Sequence, residues 1–406
     1  MSAPVLRMLG DLVVDAKPGF ACGEEDSDGI FQIRMNNVTR SGRMSLDKKR
    51  YVPANHKSAP SALLRSGDVL FNATNSPDLV GKTLLFPGLG EPTVFSNHFL
   101  RLRTDQERLT PSYLAHWLQD QFQRGVFKSK CKQWVNQATV GRESLLGISL
   151  PVPSLAVQRE IVSVLDHVEE LRAKRREALS LLGDLAQAIF LSMFGDSREN
   201  PNSWPTDSLA NLVDVADRIN YGVVQPGDEY PEGVPLVRVG DLVDGRVDRS
   251  AIKRIDPLIE AKYSRSRLKG NEILVGCVGS IGSIALAGDP DIGSNVARAV
   301  ARIPISLDPL REYLAEHLRT ASVQRYFTGE LRTVAQPTLN IKQLSETIVM
   351  IPPVDRQVEF ALRVSAIRKQ QESQAAHLSL LDALFASLQD RAFNGALWST
   401  ATAPVD

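Results

Sequence analysis

The clearest catalytic pattern in the sequence is a candidate phosphate-binding loop, Gly81-Lys82-Thr83, which follows the apolar run Val69-Leu70-Phe71. The pattern fails as such a loop, because its first glycine would fall at Ser76 and because Pro77 stiffens the segment. The residues after Thr83 do not open a helix whose amino terminus could hold a phosphate. The sequence therefore predicts no nucleotide site here.

Other catalytic patterns are also weak. Gly276, Gly279 and Gly282 have the wrong spacing for a dinucleotide fingerprint. The sequence contains no Asn-Pro-Pro-aromatic or Asp-Pro-Pro-aromatic run of an amino-methyltransferase, and nominates no serine-histidine-acid triad. The three cysteines are isolated from one another and the six histidines are scattered, which indicates neither a metal site nor disulfides and fits a reducing cytoplasm. We expect a chain without catalytic residues, metal or cofactor of its own.

Polar groups suited to nucleic-acid recognition are better represented. Residues 128–142 combine cations, an aromatic ring and amides, which could neutralise phosphates and offer hydrogen bonds to base edges. A counterpart at 329–342 is less basic. Gln137 and Thr139 recur as Gln336 and Thr338, which favours turn capping for these four. The candidate contact residues in the two stretches are Lys128, Lys130, Lys132, Trp134, Asn136, Arg142, Arg332, Asn340 and Lys342.

Charge is distributed unevenly although it cancels overall. Lysine plus arginine and aspartate plus glutamate both total 47. Residues 1–150 hold 19 basic and 14 acidic side chains, and residues 200–350 hold 17 and 19. Any anion-binding surface must therefore be local, particularly in the second half.

Two long helices must position these groups. From Gln158 to Phe194 apolar residues follow a three-four spacing typical of a coiled coil, and the pattern returns 199 residues later, from Gln357 to Phe393. Each helix would be about 55 Å long and too narrowly apolar to fold alone. The predicted seam residues are Ile161, Val164, Val168, Leu171, Leu182, Leu185, Ile189, Ile367, Leu381, Leu384 and Leu388.

The segments before the helices repeat as well. Residues 29–70 align with 233–274 at a shift of 204, pairing Arg34 with Arg238, and Ser96-Asn97 is aligned with Ser294-Asn295. The fold class that follows is α+β: two mixed domains and two long antiparallel coiled-coil helices, related by a pseudo-two-fold internal repeat. The predicted segments are a first domain (1–152), a first helix (153–195), a linker (196–206), a second domain (207–352), a second helix (353–395) and a tail (396–406).

At this point the chain resembles the specificity subunits of type I restriction-modification systems. The sharpest similarity is GELRTVAQPTLNIKQL from Gly329, followed by Ile351-Pro352-Pro353-Val354 and Gln357, which resembles the junction between target-recognition domain and long helix. Residues 71–83 resemble a recurrent variant of the first recognition domain, and 279–283 a recurrent loop of the other. Asn136-Gln137 stands where Gln-Pro-like pairs are commoner, and Arg175 interrupts the first seam.

The resemblance implies a cytoplasmic, non-catalytic subunit that reads a bipartite target in double-stranded DNA, one domain per half-site. Its helices would act as a spacer and would dock two methyltransferase subunits, which bring S-adenosylmethionine. Two restriction subunits could join, bringing ATP and Mg; no membrane is implied. Further candidate DNA contacts are Arg34, Asn72, Asn75, Lys82, Arg238, Ser280 and Ser283.

Two rival functions stay open on the sequence alone. A protein-interaction scaffold with two non-DNA domains on a coiled-coil ruler would fit the near-neutral second half. A nucleotide-dependent enzyme would need a working phosphate loop, against which Ser76 and Pro77 argue.

Overall fold

A computed structural model describes residues 5–133, 137–305, 310–329 and 338–396, with only the backbone of residues 132 and 133. The chain divides into two compact units. Unit 1 comprises the residues up to Lys174 and those from Leu378 onward, and unit 2 runs from Arg175 to His377. Each unit therefore contains one globular domain and part of both long helices.

Unit 1 begins with strands and continues into helices. Its elements in chain order are β1 (Leu6–Met8), β2 (Val13–Pro18), β3 (Ile30–Ile33), β4 (Tyr51–Val52), β5 (Val69–Asn72), β6 (Thr74–Asn75), β7 (Thr83–Leu85), β8 (Thr93–Phe95), β9 (Phe99–Thr104), α1 (Pro111–Gln123), α2 (Val126–Lys130), β10 (Lys132–Gln133), β11 (Ala138–Thr139), α3 (Arg142–Leu146), β12 (Ser149–Pro151) and the long helix α4 (Leu155–Phe194).

Unit 2 follows the same plan. Its elements are β13 (Thr206–Ser208), β14 (Asn220–Tyr221), β15 (Val234–Val237), β16 (Leu242–Val243), β17 (Arg246–Val247), β18 (Lys253–Ile255), α5 (Pro257–Glu260), β19 (Glu272–Gly276), β20 (Ile284–Leu286), β21 (Asn295–Val296), β22 (Val300–Pro304), α6 (Leu310–Arg319), α7 (Ala321–Gly329), α8 (Ile341–Ser345), β23 (Ile348–Met350) and the long helix α9 (Val354–Phe393). Short 3-10 turns connect several of these elements in both units.

The sheets of the two units share a common order. In unit 1, β2-β9-β5-β7 form an antiparallel sheet, and β3 pairs antiparallel with β4 and parallel with β8. In unit 2, β22-β19-β20 and β18-β15-β21 pair in the same senses within a six-stranded and a three-stranded sheet. The central strands β5 and β19 are buried throughout, as expected for apolar runs covered on both faces.

Strand register corrects one part of the predicted repeat. Ser96 N donates to Ile33 O (2.9 Å), and Ala297 N donates to Val237 O (2.9 Å). Ala297-Arg298, and not Ser294-Asn295, thus occupies the position of Ser96-Asn97. The parallel pairing of Phe95 with Ile33 and of Val296 with Val237 sets this register, which the short Ser-Asn match could not reveal.

Both long helices contribute to each hydrophobic core. In unit 1, Ile161, Leu165 and Val168 of α4 join Phe385 and Ala392 of α9. In unit 2, Phe190 and Phe194 of α4 join Phe360 and Val364 of α9, with ring centroids of Phe190 and Phe360 5.7 Å apart. The start of one helix and the end of the other therefore share a core within each unit.

Three predicted seam residues are wrong. Val164, Leu185 and Leu384 are exposed, whereas Leu165 and Phe385 are buried. The buried face differs because these helix segments pack into the domain core as well as along each other, which favours a wider stripe than a two-helix seam. Of the other seam predictions, Ile161, Val168 and Ile367 are buried, and Leu171, Leu182, Ile189, Leu381 and Leu388 are half-buried.

Helix α4 is long and apolar enough, by length and composition alone, to cross a bilayer. Its two ends instead carry core side chains, Ile161 and Leu165 in unit 1 and Phe190 and Phe194 in unit 2. Core helices of soluble proteins pass the same test, so this is weak evidence for a membrane span.

Candidate functional site

In unit 1 the structure joins two of the stretches singled out by sequence. Strand β11 pairs with β10 on one side and with β6 on the other. Val140 N donates to Ala73 O (2.9 Å), and the hydroxyls of Thr74 and Thr139 are 3.2 Å apart. The loop after β5 and the basic stretch from Lys128 onward thus form one surface.

Unit 2 brings together the corresponding stretches. Leu339 N donates to Cys277 O (3.0 Å), and Val278 forms a bridge with Thr338. The Tyr221 hydroxyl donates to Leu339 O (2.8 Å) and fixes the same segment. The loop with Ser280 and Ser283 therefore lies beside the segment that leads to α8, as the equivalent loops do in unit 1.

Exposed cations border the surface of unit 1. Lys128 Nζ lies 2.7 Å from Asp78 Oδ1, and this pairing lowers the pKa of the Asp78 carboxyl. Lys130 and Arg142 are exposed and form no ion pair with any residue that the structure describes. These side chains are free to meet an anionic ligand.

A cavity of about 450 Å³ opens beside these cations. Arg40, Asp78 and Lys128 line it, and Arg40 is exposed. The sequence analysis missed Arg40, since no motif marks it. Its guanidinium also helps to keep the pKa of Asp78 low, so the cavity carries two cations around one carboxylate.

Some predicted contacts lie outside the described residues. These are Trp134, Asn136 and Arg332, together with Gln336 of the turn interpretation. Lys132 is described only by its backbone, in β10. Gln137 is exposed, whereas Thr139 bonds to Thr74, which agrees with a turn-stabilising role for Thr139.

Asn72 and Asn75 hydrogen-bond to each other within the loop that follows β5. Asn72 is fully buried; its amide nitrogen donates to Thr74 O (3.2 Å) and His98 O (3.1 Å), and its oxygen accepts from Asn75 Nδ2 (2.6 Å). A buried amide whose groups are satisfied by backbone cannot also read a base. The prediction for Asn72 is therefore wrong. Asn75 is half-buried and accepts from Ser76 N (2.8 Å), and its contact with DNA stays a prediction.

Lys82 is likewise wrong as a phosphate contact. It is buried, and Nζ donates to Met35 O (3.0 Å) and Val38 O (2.5 Å). Burial and the neighbouring Arg40 charge lower the pKa of this amine. Because Thr83 begins strand β7 rather than a helix, the structure also offers no phosphate loop here.

In unit 2 two further predicted contacts are engaged internally. Asn340 caps α8: its oxygen accepts from Gln343 N (3.0 Å), and Gln343 Oε1 accepts from Asn340 N (3.0 Å). Arg238 pairs with Asp241 through Nε (3.1 Å) and Nη2 (2.9 Å), which raises the pKa of the guanidinium. Neither group is free, because partners three residues away satisfy it.

The remaining predicted positions stay accessible. Ser280 is exposed and Ser283 half-buried. Lys342 is exposed, with Nζ 3.8 Å from Glu346 Oε1, and such an exposed pair holds the lysine only weakly. The accessible predicted residues of unit 2 are therefore these two serines and one lysine. In unit 1, Arg34 is half-buried beside a separate cavity.

Comparisons with known proteins agree with this repeated arrangement. The model of the type I restriction modification DNA specificity domain matches residues 28–181 and again 217–379. The EcoBI specificity subunit of Escherichia coli is 27% identical over 97% of this chain and 86% of its own length. The MjaX specificity subunit of Methanocaldococcus jannaschii, a putative one, is 22% identical over 89% and 86%.

Solved structures resemble the chain in fold. A type I restriction-modification S subunit from M. genitalium matches with a TM-score of 0.55 at 15% identity, over 96% of both chains. A chain from a study of assembly and conformational transition of the type I R-M system matches with a TM-score of 0.54 at 20% identity, over 97% of this chain and 98% of its own. The predicted resemblance is confirmed: this chain belongs to the family of type I restriction-modification DNA specificity subunits.

Proposed function

We propose that this chain reads a bipartite DNA target, with one globular domain per half-site, and performs no chemistry itself. The observation that carries the proposal is the repeated loop anchor, Val140 N to Ala73 O in unit 1 and Leu339 N to Cys277 O in unit 2. The framework recurs while the outward residues differ, as two readers of different sequences require. We retain the predicted segments 1–152, 153–195, 196–206, 207–352, 353–395 and 396–406 as the functional division.

Phosphate contacts in the first domain would come from the exposed cations. Lys128, Lys130 and Arg142 border one surface, and Lys132 follows in β10. Neutralised phosphates release counterions and supply affinity without sequence preference. Ser280, Ser283 and Lys342 are the corresponding accessible candidates in the second domain, where fewer cations imply a larger share of contacts from partner subunits.

Two exposed leucine pairs support docking of two copies of one partner. Leu181 and Leu185 of α4 are 64% and 43% exposed, and Leu380 and Leu384 of α9, each 199 residues later, are 68% and 47% exposed. Leucines four residues apart lie on one helix face. Two equivalent apolar pairs with nearly equal exposure would suit two identical methyltransferase subunits, one per pair.

These partners would supply the chemistry. The methyltransferase subunits would bring S-adenosylmethionine, and restriction subunits, where they join, would bring ATP and Mg. The complex would act on double-stranded DNA in the cytoplasm. The two long helices would pair as an antiparallel coiled coil, for which the shared cores of α4 and α9 within each unit give support.

The stoichiometry of assembly tests the docking surfaces. The chain would be mixed with the methyltransferase subunit of its own system and weighed by native mass spectrometry. We expect two methyltransferase copies on the wild type, one after Leu181→Gln with Leu185→Gln, and none after the same change at all four leucines. The exposed surface of one pair is about that of one full leucine, and burying a leucine contributes about 1.5–3 kcal/mol. Losing a pair should therefore weaken binding at that site by about ten- to a hundredfold.

Leu191 gives a matched control. It is 46% exposed on the same helix, but Asp390 stands 199 residues later, so it lacks a repeated counterpart. Leu191→Gln should keep two copies. Retention of both copies by the fourfold variant would contradict docking at these leucines.

DNA recognition is tested with the assembled complex on a library of random duplexes, followed by sequencing of the methylated sites. A bipartite consensus with two independent halves is expected. The alternative, a protein-interaction scaffold without DNA recognition, is favoured only by the acidic balance of residues 200–350, and predicts methylation without a consensus contributed by this chain.

A further inference from the structure

A second cavity, of about 410 Å³, lies within unit 1 and has no role in the surface described above. Three turns form part of its walls: the segment after β2 with Phe20, the end of β3 with Arg34, and the β8–β9 turn with Ser96. Arg50, just before β4, also lines it, but its guanidinium donates to the carbonyls of residues 23 and 24 and lies 3.9 Å from Glu25 Oε2. We call it the Arg34 cavity. Three loops at one edge of two sheets make a concave site of the size that ligands use.

At this cavity two polar atoms are buried and have no hydrogen-bond partner among the residues that the structure describes. They are Arg34 Nε and Ser96 Oγ, and Ser96 is 5% exposed. Within the described part of the chain, the Arg34 guanidinium makes no ion pair or hydrogen bond. A buried donor left unpaired is costly, so a ligand that accepts from both atoms would relieve two such costs at once. The common acceptor for a guanidinium and a hydroxyl is an anionic oxygen.

The equivalent position in unit 2 lacks both features, the unpaired guanidinium and the buried hydroxyl. Arg238 occupies the place of Arg34, but Asp241 binds its guanidinium, whereas Asn37 stands at the corresponding place in unit 1. Ala297 replaces Ser96, since both donate to the equivalent strand carbonyl. Unit 2 thus neutralises its arginine and lacks the hydroxyl.

A second cation distinguishes the units. Lys82 lies beneath the turn that follows Arg34 and donates to the carbonyls of Met35 and Val38. Strand pairing places Ser283 at the equivalent position in unit 2, because Leu85 pairs with Val69 as Leu286 pairs with Ile273. Lys82 therefore supports the turn that holds Arg34 and does not itself line the cavity, whereas unit 2 has a serine beneath the equivalent turn.

We propose that the Arg34 cavity holds one phosphate of duplex DNA, bound through Arg34 and Ser96, and so fixes how the first domain is placed on its half-site. The inference rests on the proposed function and deepens it. The contact is confined to unit 1, so the two half-sites are held by different numbers of phosphate contacts.

The test is the salt dependence of duplex binding by the full chain assembled with its methyltransferase subunit. The observed binding constant falls with salt by about 0.9 in the log–log slope per neutralised phosphate. We expect Arg34→Gln to reduce the magnitude of the slope by about 0.9 and to weaken binding at low salt about tenfold or more. Arg34→Lys should keep the slope. Arg238→Gln is the matched control and should leave it unchanged, because that guanidinium is already paired.

Ser96→Ala tests the second donor and removes no charge. It should weaken binding several-fold at an unchanged slope, and thermal unfolding should show that all variants fold as the wild type does. A wild-type slope and affinity in Arg34→Gln, or full affinity in Ser96→Ala, would overturn the cavity as the phosphate site while leaving the proposed function intact. If the wild-type complex binds no duplex, the proposed function itself fails.

Discussion

At the scale of single residues, one buried position is occupied by a titratable group in unit 2 and not in unit 1. His317 in α6 is fully buried; its Nε2 accepts from Met350 N (3.3 Å), and its ring contacts that of Phe190 at 5.6 Å. Burial lowers its pKa to about 4, against a small opposing effect of Asp196. Trp117 occupies the corresponding place in unit 1, where no proton can bind.

Acidification should therefore destabilise unit 2. The folded pKa lies below the usual 6.5, so the stabilising contribution of neutral His317 is complete above pH 6.5 and is lost as the pH falls toward 4. Between pH 7 and pH 5 the loss should be about 2 kcal/mol. Hydrogen exchange, corrected for the pH dependence of the intrinsic rates, would show this loss of stability as faster exchange of amides in β23 and at the end of α4.

His317→Gln supplies the control, because glutamine can accept from Met350 N and does not titrate. The pH dependence in unit 2 should shrink by the same amount in this variant. Its persistence, or an equal loss in the β12 region of unit 1, would contradict the assignment to His317.

At the scale of elements, each long helix is attached to its domain by a buried glutamine in its first turns. Gln158 in α4 donates to Arg108 O (2.9 Å) and Pro153 O (2.9 Å) and accepts from Thr110 N (2.8 Å). Gln357 in α9 donates to Pro352 O (2.7 Å). The sequence showed both glutamines as a repeated match, but only the contacts reveal that they join helix to domain.

Removing the glutamine tests the attachment of α4 to its domain. Gln158→Leu keeps the size of the side chain but leaves three backbone groups without these bonds, so the free energy of unfolding of unit 1 should fall by about 2–4 kcal/mol. Urea unfolding followed by hydrogen exchange in unit 1 measures the loss. An unchanged free energy of unfolding in Gln158→Leu would contradict the role of this glutamine.

At the scale of the whole molecule, we propose that the long helices set the gap between the half-sites. Deleting seven residues from each, Lys174–Ser180 and Ser373–Ser379, preserves the heptad register and spares the docking leucines. At about 1.5 Å per residue the helices shorten by about 10 Å, or roughly three base pairs at about 3.4 Å each.

The expected gap is shorter by two or three base pairs, with weaker binding. Three base pairs turn the groove by about 100°, whereas seven helical residues rotate the distal domain by only about 20°, so DNA twist must absorb the difference. Sequencing of methylated sites from a random library reads the gap directly. If the variant folds, recruits methyltransferase and still methylates at the original gap, the helices do not set the distance between the half-sites.

The sequence by itself determined the repeat, the two long helices and the family. Each rests on local patterns: apolar spacing along a helix, residues recurring 199 positions apart such as Gln158 and Gln357, and the motif that begins at Gly329. Such patterns can be recognised without knowing the tertiary contacts, because helix periodicity depends on residues that are close together in the chain.

Only the tertiary structure decided which polar residues are available. Asn72 and Lys82 look like ligand contacts in the sequence but bond to backbone carbonyls brought near by strand pairing. Arg34 and Arg238 align, but Asp241 binds the guanidinium of Arg238, whereas Asn37, the residue in the place of Asp241, accepts from the backbone of Arg34. Leu185 and Leu384 fit a heptad but are exposed, because packing against the domain core determines which face of each helix is buried. Whether a polar side chain can contact a ligand depends on the groups that lie opposite it in the fold. Those groups come from residues tens of positions away in the chain, and the register of strand pairing decides which they are.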